Sequence, residues 1–183
     1  MRKWNAVIGM AMMVIFLVHA IGGSLSMAGI ISGGNPVILG LTRVLVLLMA
    51  AHIVIGVILT ARTIRACRRS GASYFRENKR FWIRRASGFA IVLFMIHHMV
   101  IFSGDHSGGA YRLSLFAGAQ LISSLLLVAS IAVHLITNIE PLSIALGIKD
   151  GKEFAVDLLL ILSILLFVMG AAFIIYYLRW RVI

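Results

Sequence analysis

Five histidines lie inside long apolar stretches of this 183-residue chain: His19, His52, His97, His98 and His134. An ionisable side chain inside a membrane helix is costly and needs a partner, so each is a candidate functional residue. For a lone histidine, a hydrogen bond to a neighbouring helix is as good an explanation as a ligand role. Four separate stretches that each supply a histidine instead indicate bis-histidine ligation of haem iron, with two imidazoles on opposite faces of a porphyrin.

The predicted depths of these histidines in the membrane group them into pairs. His19 and His98 each lie about 14 to 16 residues from the inner ends of their helices, which is about 20 Å at 1.5 Å per residue. We therefore expect these two to form an outer site. His134 lies near the inner end of its helix and His52 near the middle of its own, so their depths agree only loosely as an inner pair. His97 is the alternative to His98, rotated by about 100° around the same helix.

The elements that position these residues must be membrane helices. The chain is 61% hydrophobic and 13% charged, with a mean hydropathy of +1.04, which is outside the range of soluble domains. We predict one all-α integral membrane domain over residues 1–183. Its five transmembrane helices each exceed the roughly 20 residues needed to cross a bilayer. They are expected near 5–30, 40–66, 82–104, 112–139 and 154–179.

The first apolar stretch is expected to be a mature helix and not a signal peptide, because it is too long and no small-residue cleavage site follows it. The only cysteine, Cys67, excludes a disulfide framework and a cysteine metal cluster. Small residues near the histidines, Gly22, Gly23, Gly56 and Gly88, would let a flat macrocycle approach the backbone. Glycine is also simply common in membrane helices.

The positive residues that give the net charge of +11 are grouped by side of the membrane, so they do not indicate nucleic-acid binding. Positive residues mark the cytoplasmic side, so we predict a cytoplasmic N-terminus and an outer C-terminus. The basic loop from Ala66 to Trp82 either docks a soluble subunit or only contacts anionic lipid. Glu140-Pro141 and the segment from Lys149 to Glu153 are predicted to form the second inner connection.

Helix three carries the sequence Arg84-Arg85-Ala86-Ser87-Gly88, followed by Met95-Ile96-His97-His98-Met99. An arginine, serine and glycine followed about ten residues later by a histidine resembles the membrane cytochrome b subunit of the succinate dehydrogenase and fumarate reductase family. In its di-haem members the first four of five helices each carry an axial histidine, and the last carries none. The resemblance extends over nearly the whole chain.

The resemblance implies that His19 and His98 ligate a distal haem b, and His52 and His134 a proximal haem b. His98 is preferred over His97 because its offset from Gly88 matches the family spacing. The implied function is electron transfer between membrane quinone, usually menaquinone, and an iron-sulfur subunit that joins a flavoprotein acting on succinate and fumarate. The implied location is a bacterial cytoplasmic membrane, and a dimer of the complex is plausible by analogy.

Polar residues near the membrane surfaces could complete the cofactor sites. A guanidinium can bind a haem propionate through two hydrogen bonds, although interfacial anchoring explains a membrane arginine equally well. Candidate propionate or haem-pocket contacts are Arg43, Arg85, Arg112 and Ser87. Asp105 and His106, in the outer loop after helix three, are weak candidates for proton exchange at a quinone site, since such a loop is also explained as a solvated turn.

Two other classes of protein compete with this interpretation. The first is another di-haem quinone cytochrome, such as the membrane subunit of formate dehydrogenase, nitrate reductase or hydrogenase, or a cytochrome of the b561 type. Placement of ligands on helices one to four and the spacing from Arg85 to His98 count against it. The second is a small transporter or structural anchor whose histidines bind protons or metal, and it would bind no haem.

Overall fold

The computed structural model describes residues 1–71, 78–102, 116–148 and 151–181, and these residues form helices and short turns without a strand. All five helices of this part of the chain are long and apolar enough to cross a membrane. The predicted all-α, five-helix architecture is confirmed. In chain order the helices are α1 Arg2–Met27, α2 Pro36–Ser70, α3 Lys79–Ile101, α4 Gly118–Leu146 and α5 Gly151–Arg181.

Local sequence signals account for several helix ends. Asn35 caps α2, because its side-chain oxygen accepts hydrogen bonds from the backbone N–H groups of Val37 and Ile38. Pro36 follows at the first helical position, where its missing N–H costs nothing. Gly71 ends the same helix in the left-handed conformation, with φ of 69°. The second helix therefore begins four residues before the predicted start at 40 and runs four beyond the predicted end at 66.

The inner connection predicted at Glu140-Pro141 is wrong, because α4 continues through Pro141 to Leu146. A proline inside a membrane helix is tolerated when other groups satisfy the carbonyl that it leaves without an N–H partner. In α4 this carbonyl is that of Thr137, four residues before Pro141. The last helix also begins earlier than predicted, at Gly151. Residues 112–115 of the predicted fourth helix and residues 72–77 of the basic loop lie outside the described residues.

The helices pack unevenly around the bundle. The closely packed pairs are α3 with α4, α4 with α5, α1 with α2, α1 with α5, and more weakly α1 with α4. Helix α5 fills one side with Leu162, Leu165 and Phe173, all buried. Helix α2 packs extensively only against α1 and buries none of its residues. A wide space therefore separates α2 from α3 and α4.

One end of the bundle, here called the basic end, holds the start of α1, the end of α2 and the start of α3. At 35 residues, α2 is about 52 Å long and exceeds a hydrocarbon core of roughly 30 Å. An exposed ion pair between Arg80 and Glu140 joins α3 to α4 at this end, with 3.3 Å between nitrogen and oxygen. Basic residues described at this end are Arg2, Lys3, Arg62, Arg65, Arg68, Arg69, Lys79, Arg80, Arg84, Arg85 and Lys152.

Candidate functional site

The space between α2 and the rest of the bundle is a cavity of about 2300 Å³. Pockets for a single small molecule usually measure roughly 300 to 1,000 Å³, so this cavity has room for more than one large ligand. Helices α1 to α4 each contribute one histidine to its wall: His19, His52, His98 and His134. Helix α5, which has no histidine, adds Met169, Ala172 and Phe173 as an apolar wall.

His19 and His98 lie together in the cavity. Their ring centroids are 6.5 Å apart, and the ring planes are inclined by 78°. Two imidazoles bound on opposite sides of one metal ion, each with a metal–nitrogen distance of about 2 Å, have centroids roughly 6 Å apart. The observed separation therefore suits a single metal ion between the two rings.

His52 and His134, the second predicted pair, both line the cavity. His52 follows Pro36 by 16 positions and His134 follows Gly118 by 16 positions, so each lies about 24 Å from the start of its helix. The sequence suggested only loosely matched depths for these two residues. Counted from the observed helix starts at Pro36 and Gly118, the two depths agree.

A hydroxyl group lies beside His19. Thr42 Oγ1 is 2.8 Å from the Ile38 carbonyl oxygen and 2.9 Å from His19 Nδ1. A His19 ring that binds a metal through Nε2 would carry its hydrogen on Nδ1, and the Thr42 oxygen is placed to accept it.

The same arrangement recurs at His134. Ser87 Oγ donates to the Arg84 carbonyl at 3.2 Å and lies 3.2 Å from His134 Nδ1. A His134 ring that binds a metal through Nε2 would likewise place its Nδ1–H against the Ser87 oxygen. A hydrogen bond of this kind fixes the ring orientation of a metal-binding histidine and strengthens it as a ligand. Ser87 is buried and acts on His134 without lining the cavity.

His98 lies among aromatic side chains. Its ring centroid is 4.4 Å from that of Phe102 and 6.3 Å from that of Phe173. Nδ1 of His98 is buried, and no other described residue forms a hydrogen bond with it. An unpaired buried polar atom costs about 1 to 3 kcal/mol. The described residues alone therefore leave one ring nitrogen of His98 without a hydrogen-bond partner.

Glycines flank the histidine pairs where backbone and ring must approach closely. A Cβ at Gly88 would lie 3.4 Å from Cε1 of His134, so a larger residue would displace that ring. Gly23 and Gly56 line the cavity with open space before them, the nearest side-chain atom at Gly56 being Arg85 Nη1 at 3.9 Å. Gly22 differs, because a Cβ there would meet Ile38 Cδ1 at 2.7 Å. Gly22 therefore allows α1 to pack closely against α2.

Two arginines lie beside the inner histidine pair. Arg85 lines the cavity, is close enough to His52 and His134 for electrostatic interaction, and stacks its guanidinium 5.0 Å from the Phe81 ring centroid. Arg84 also lines the cavity. Arg43 is exposed near the start of α2 and does not line the cavity, which agrees with interfacial anchoring.

His97 points to a different surface from His98. Its Nδ1 lies 2.6 Å from Ser123 Oγ, and its ring lines a groove between α3 and α4. It is absent from the wall of the large cavity. The structure therefore brings His98, and not His97, next to His19.

Some sequence candidates cannot be placed, and other residues were missed. Asp105, His106 and Arg112 lie outside the described residues. Thr42 was missed, and only its polar side chain in an apolar run could have signalled a role. Ser123 was also missed, because its hydrogen-bond partner His97 is 26 positions away in the sequence.

The facing imidazoles of His19 and His98 suit one transition-metal centre between them, inside a largely apolar cavity that His52 and His134 also line. Among the described residues no three His, Cys, Asp or Glu side chains converge. A haem iron needs only two axial protein ligands, because the porphyrin supplies its other nitrogens. No protein-family model matches the chain, and neither a curated protein nor a solved structure matches it.

Proposed function

We propose that the chain is a di-haem cytochrome b membrane subunit of a succinate:quinone or quinol:fumarate oxidoreductase. It anchors the flavoprotein and iron-sulfur subunits and transfers electrons between menaquinone and the iron-sulfur subunit. The observation that carries the proposal is the facing pair His19 and His98, with ring centroids 6.5 Å apart inside a cavity of about 2300 Å³. The motif from Arg84 to His98 supports the family assignment.

In this proposal His19 and His98 hold the distal haem b, and His52 and His134 hold the proximal one. The hydroxyls of Thr42 and Ser87 support these roles, because each lies within hydrogen-bond distance of Nδ1 and would orient a ring that binds iron through Nε2. Bound haem supplies one-electron redox chemistry at two depths in the membrane, which protein side chains do not provide.

Other cavity residues set the environment of the two sites. Arg85 is positioned to pair with a propionate of the proximal haem and to favour negative charge there. Gly56 and Gly88 keep the backbone clear of a flat ring, while Phe102 and Phe173 exclude water beside His98. These residues would bind and orient the two groups.

The basic end of the bundle supports the anchoring role. Helix α2 is longer than the bilayer is thick and carries Arg62, Arg65, Arg68 and Arg69 along its final turns. Such a surface can steer and hold a soluble subunit of opposite charge. With this end facing the cytoplasm, the chain is a multi-pass subunit of a bacterial cytoplasmic membrane.

The test is isolation of the tagged chain from its native membranes in mild detergent, followed by identification of bound subunits and assay of succinate-dependent quinone reduction. We expect a flavoprotein, an iron-sulfur protein and activity that is lost when His98 or His134 is replaced by alanine, with soluble flavin-site activity retained. Subunits of a formate dehydrogenase, nitrate reductase or hydrogenase would contradict the family assignment.

A further inference from the structure

We propose that α2 is attached to the α3 and α4 side of the bundle through His52 and the proximal haem, so that occupancy of this one site sets the position of α2. This role rests on the proposed function, because it gives a second task to a haem of that proposal. The distal site, between His19 and His98, has no such task. The proposal follows from the way in which the helices are held together.

Helices α2 and α3 each pack closely against one neighbour among the described residues, α2 against α1 and α3 against α4. The two helices differ in how well they are buried. Helix α3 buries Phe81 and Ser87, whereas α2 buries none of its residues. Helices in a membrane gain no hydrophobic driving force from each other, and they associate through close packing and hydrogen bonds. Helix α2 is therefore held less firmly than α3.

Polar contacts fix α3 along its length but fix α2 near one end. The contacts that link α3 to α4 are Arg80 with Glu140, Ser87 with His134, and His97 with Ser123. Helix α2 has one such contact, between Thr42 and His19. After His52, its two cavity-lining threonines donate to carbonyls of α2 itself. Among the described residues, no hydrogen bond joins residues 53–70 to another helix.

Beyond His52, α2 faces the large cavity with Gly56, Cys67 and several apolar side chains. The nearest side-chain atom that a Cβ at Gly56 would meet is Nη1 of Arg85, at 3.9 Å, which is the far end of a flexible side chain. In the proposed function, His52 and His134 bind opposite faces of one haem across this space. Iron coordination then supplies the link between α2 and α4 that packing does not supply.

The contacts with α1 near the outer end give α2 a point about which it can tilt. Gly22 of α1 packs closely against Ile38, and Thr42 contacts His19 one turn later. Cys67 follows Thr42 by 25 positions, which is about 37 Å along the helix. A tilt of about 10° at Thr42 would therefore move Cys67 by about 6 Å.

Loss of the distal haem should not release any helix. Its two ligands lie on α1 and α3, and both of these helices also contact α4 directly. The two sites therefore differ in their structural effect, although each is formed by one histidine from each of two helices. This difference is what the experiment measures.

The test measures the position of α2 in the purified full-length chain in lipid nanodiscs. Cys67, the only cysteine of the chain, carries one spin label, and Ser163→Cys, on the exposed face of α5, carries the other. Double electron–electron resonance gives the distance between the labels. We expect a narrow distance distribution with all four histidines present. In His134→Gly, which leaves α2 unaltered, we expect a shift or broadening of about 6 Å or more.

Three controls separate release of α2 from general misfolding. His98→Ala should lose the distal haem and keep the narrow distribution. Labels at Ile83→Cys, exposed on α3, and Ser163→Cys, in a Cys67→Ser background, should give one distance in every variant. Free imidazole added to His134→Gly replaces the missing ligand and should restore both the haem and the narrow Cys67 distribution.

Haem content, measured on the same samples, separates this role of His52 from the proposed function. An unchanged Cys67 distance in His134→Gly with one haem lost would overturn the role. Equal broadening in His98→Ala, or failure of imidazole to narrow the distribution, would also overturn it. A chain with all four histidines but no haem would overturn the proposed function. In that chain a broad Cys67 distribution would still support a bridging group at His52, and a narrow one would overturn it.

Discussion

His19 on α1 and His98 on α3 bring their rings to a centroid separation of 6.5 Å, although they are 79 positions apart along the chain. Helices α1 and α3 are not among the closely packed pairs of the bundle. The two rings therefore meet across a space and not across a helix interface. This relationship is the basis for the haem assignment and for the predictions below.

Replacing one ligand should remove one haem and leave the other, because the two histidine pairs are separate. His98→Ala should leave one haem per chain, and so should His134→Ala. His97→Ala should retain two, since His97 lies outside the cavity. Reduced-minus-oxidised spectra of the purified variants measure this. Two haems in His98→Ala would reject the outer pair.

The hydroxyls beside His19 and His134 should tune one haem each. Removing the acceptor for Nδ1–H weakens the imidazole as a donor to iron, and the oxidised state loses stabilisation. Thr42→Val should therefore raise the midpoint potential of the distal haem by roughly 20 to 60 mV. Thr42→Ser keeps the hydroxyl and should leave that potential near wild type.

Ser87→Ala is the matched variant for the proximal site and should raise only the proximal potential. Redox titration of the complex resolves both haems in one experiment. Equal shifts of both potentials by either variant would show that the effect spreads through the fold and does not act through His19 or His134 alone.

Arg85 should stabilise the reduced state of the proximal haem, because the electron adds negative charge beside its guanidinium. Arg85→Gln is expected to lower the proximal midpoint potential by roughly 50 mV or more. Arg43→Gln is the control, since Arg43 is exposed outside the cavity and should not alter either potential. An unchanged proximal potential in Arg85→Gln would exclude the propionate role.

Space at Gly88 should be necessary for the proximal site. A Cβ there lies 3.4 Å from His134 Cε1, so Gly88→Ala requires only a small movement of the ring. Gly88→Leu should displace His134 and lose one haem. Gly40→Leu, at a glycine with open space before it, should retain both haems. Haem content per chain again measures the result.

The helices and the facing pair His19 and His98 could be predicted from sequence because both depend on regular features. Apolar length defines a membrane helix, and depth follows from residue number. The end of α4 could not be predicted, because a proline more often ends a helix than lies within one. The contact between Thr42 and His19 could not be predicted either, since it depends on how α1 and α2 are rotated about their axes.

The sequence distinguishes His97 from His98 only in part. Spacing from Gly88 favoured His98, but only the packing of α3 against α4 places His97 beside Ser123. His97 therefore has a hydrogen-bond partner outside the large cavity, whereas Nδ1 of His98 has none among the described residues.

The most direct test of the central claim is a pyridine haemochrome assay on the purified chain, with polypeptide measured by quantitative amino-acid analysis. The account predicts two haems b per chain, and one in either His19→Ala or His52→Ala. A wild-type chain that contains no haem when isolated from haem-replete cells would contradict the assignment of all four ligands.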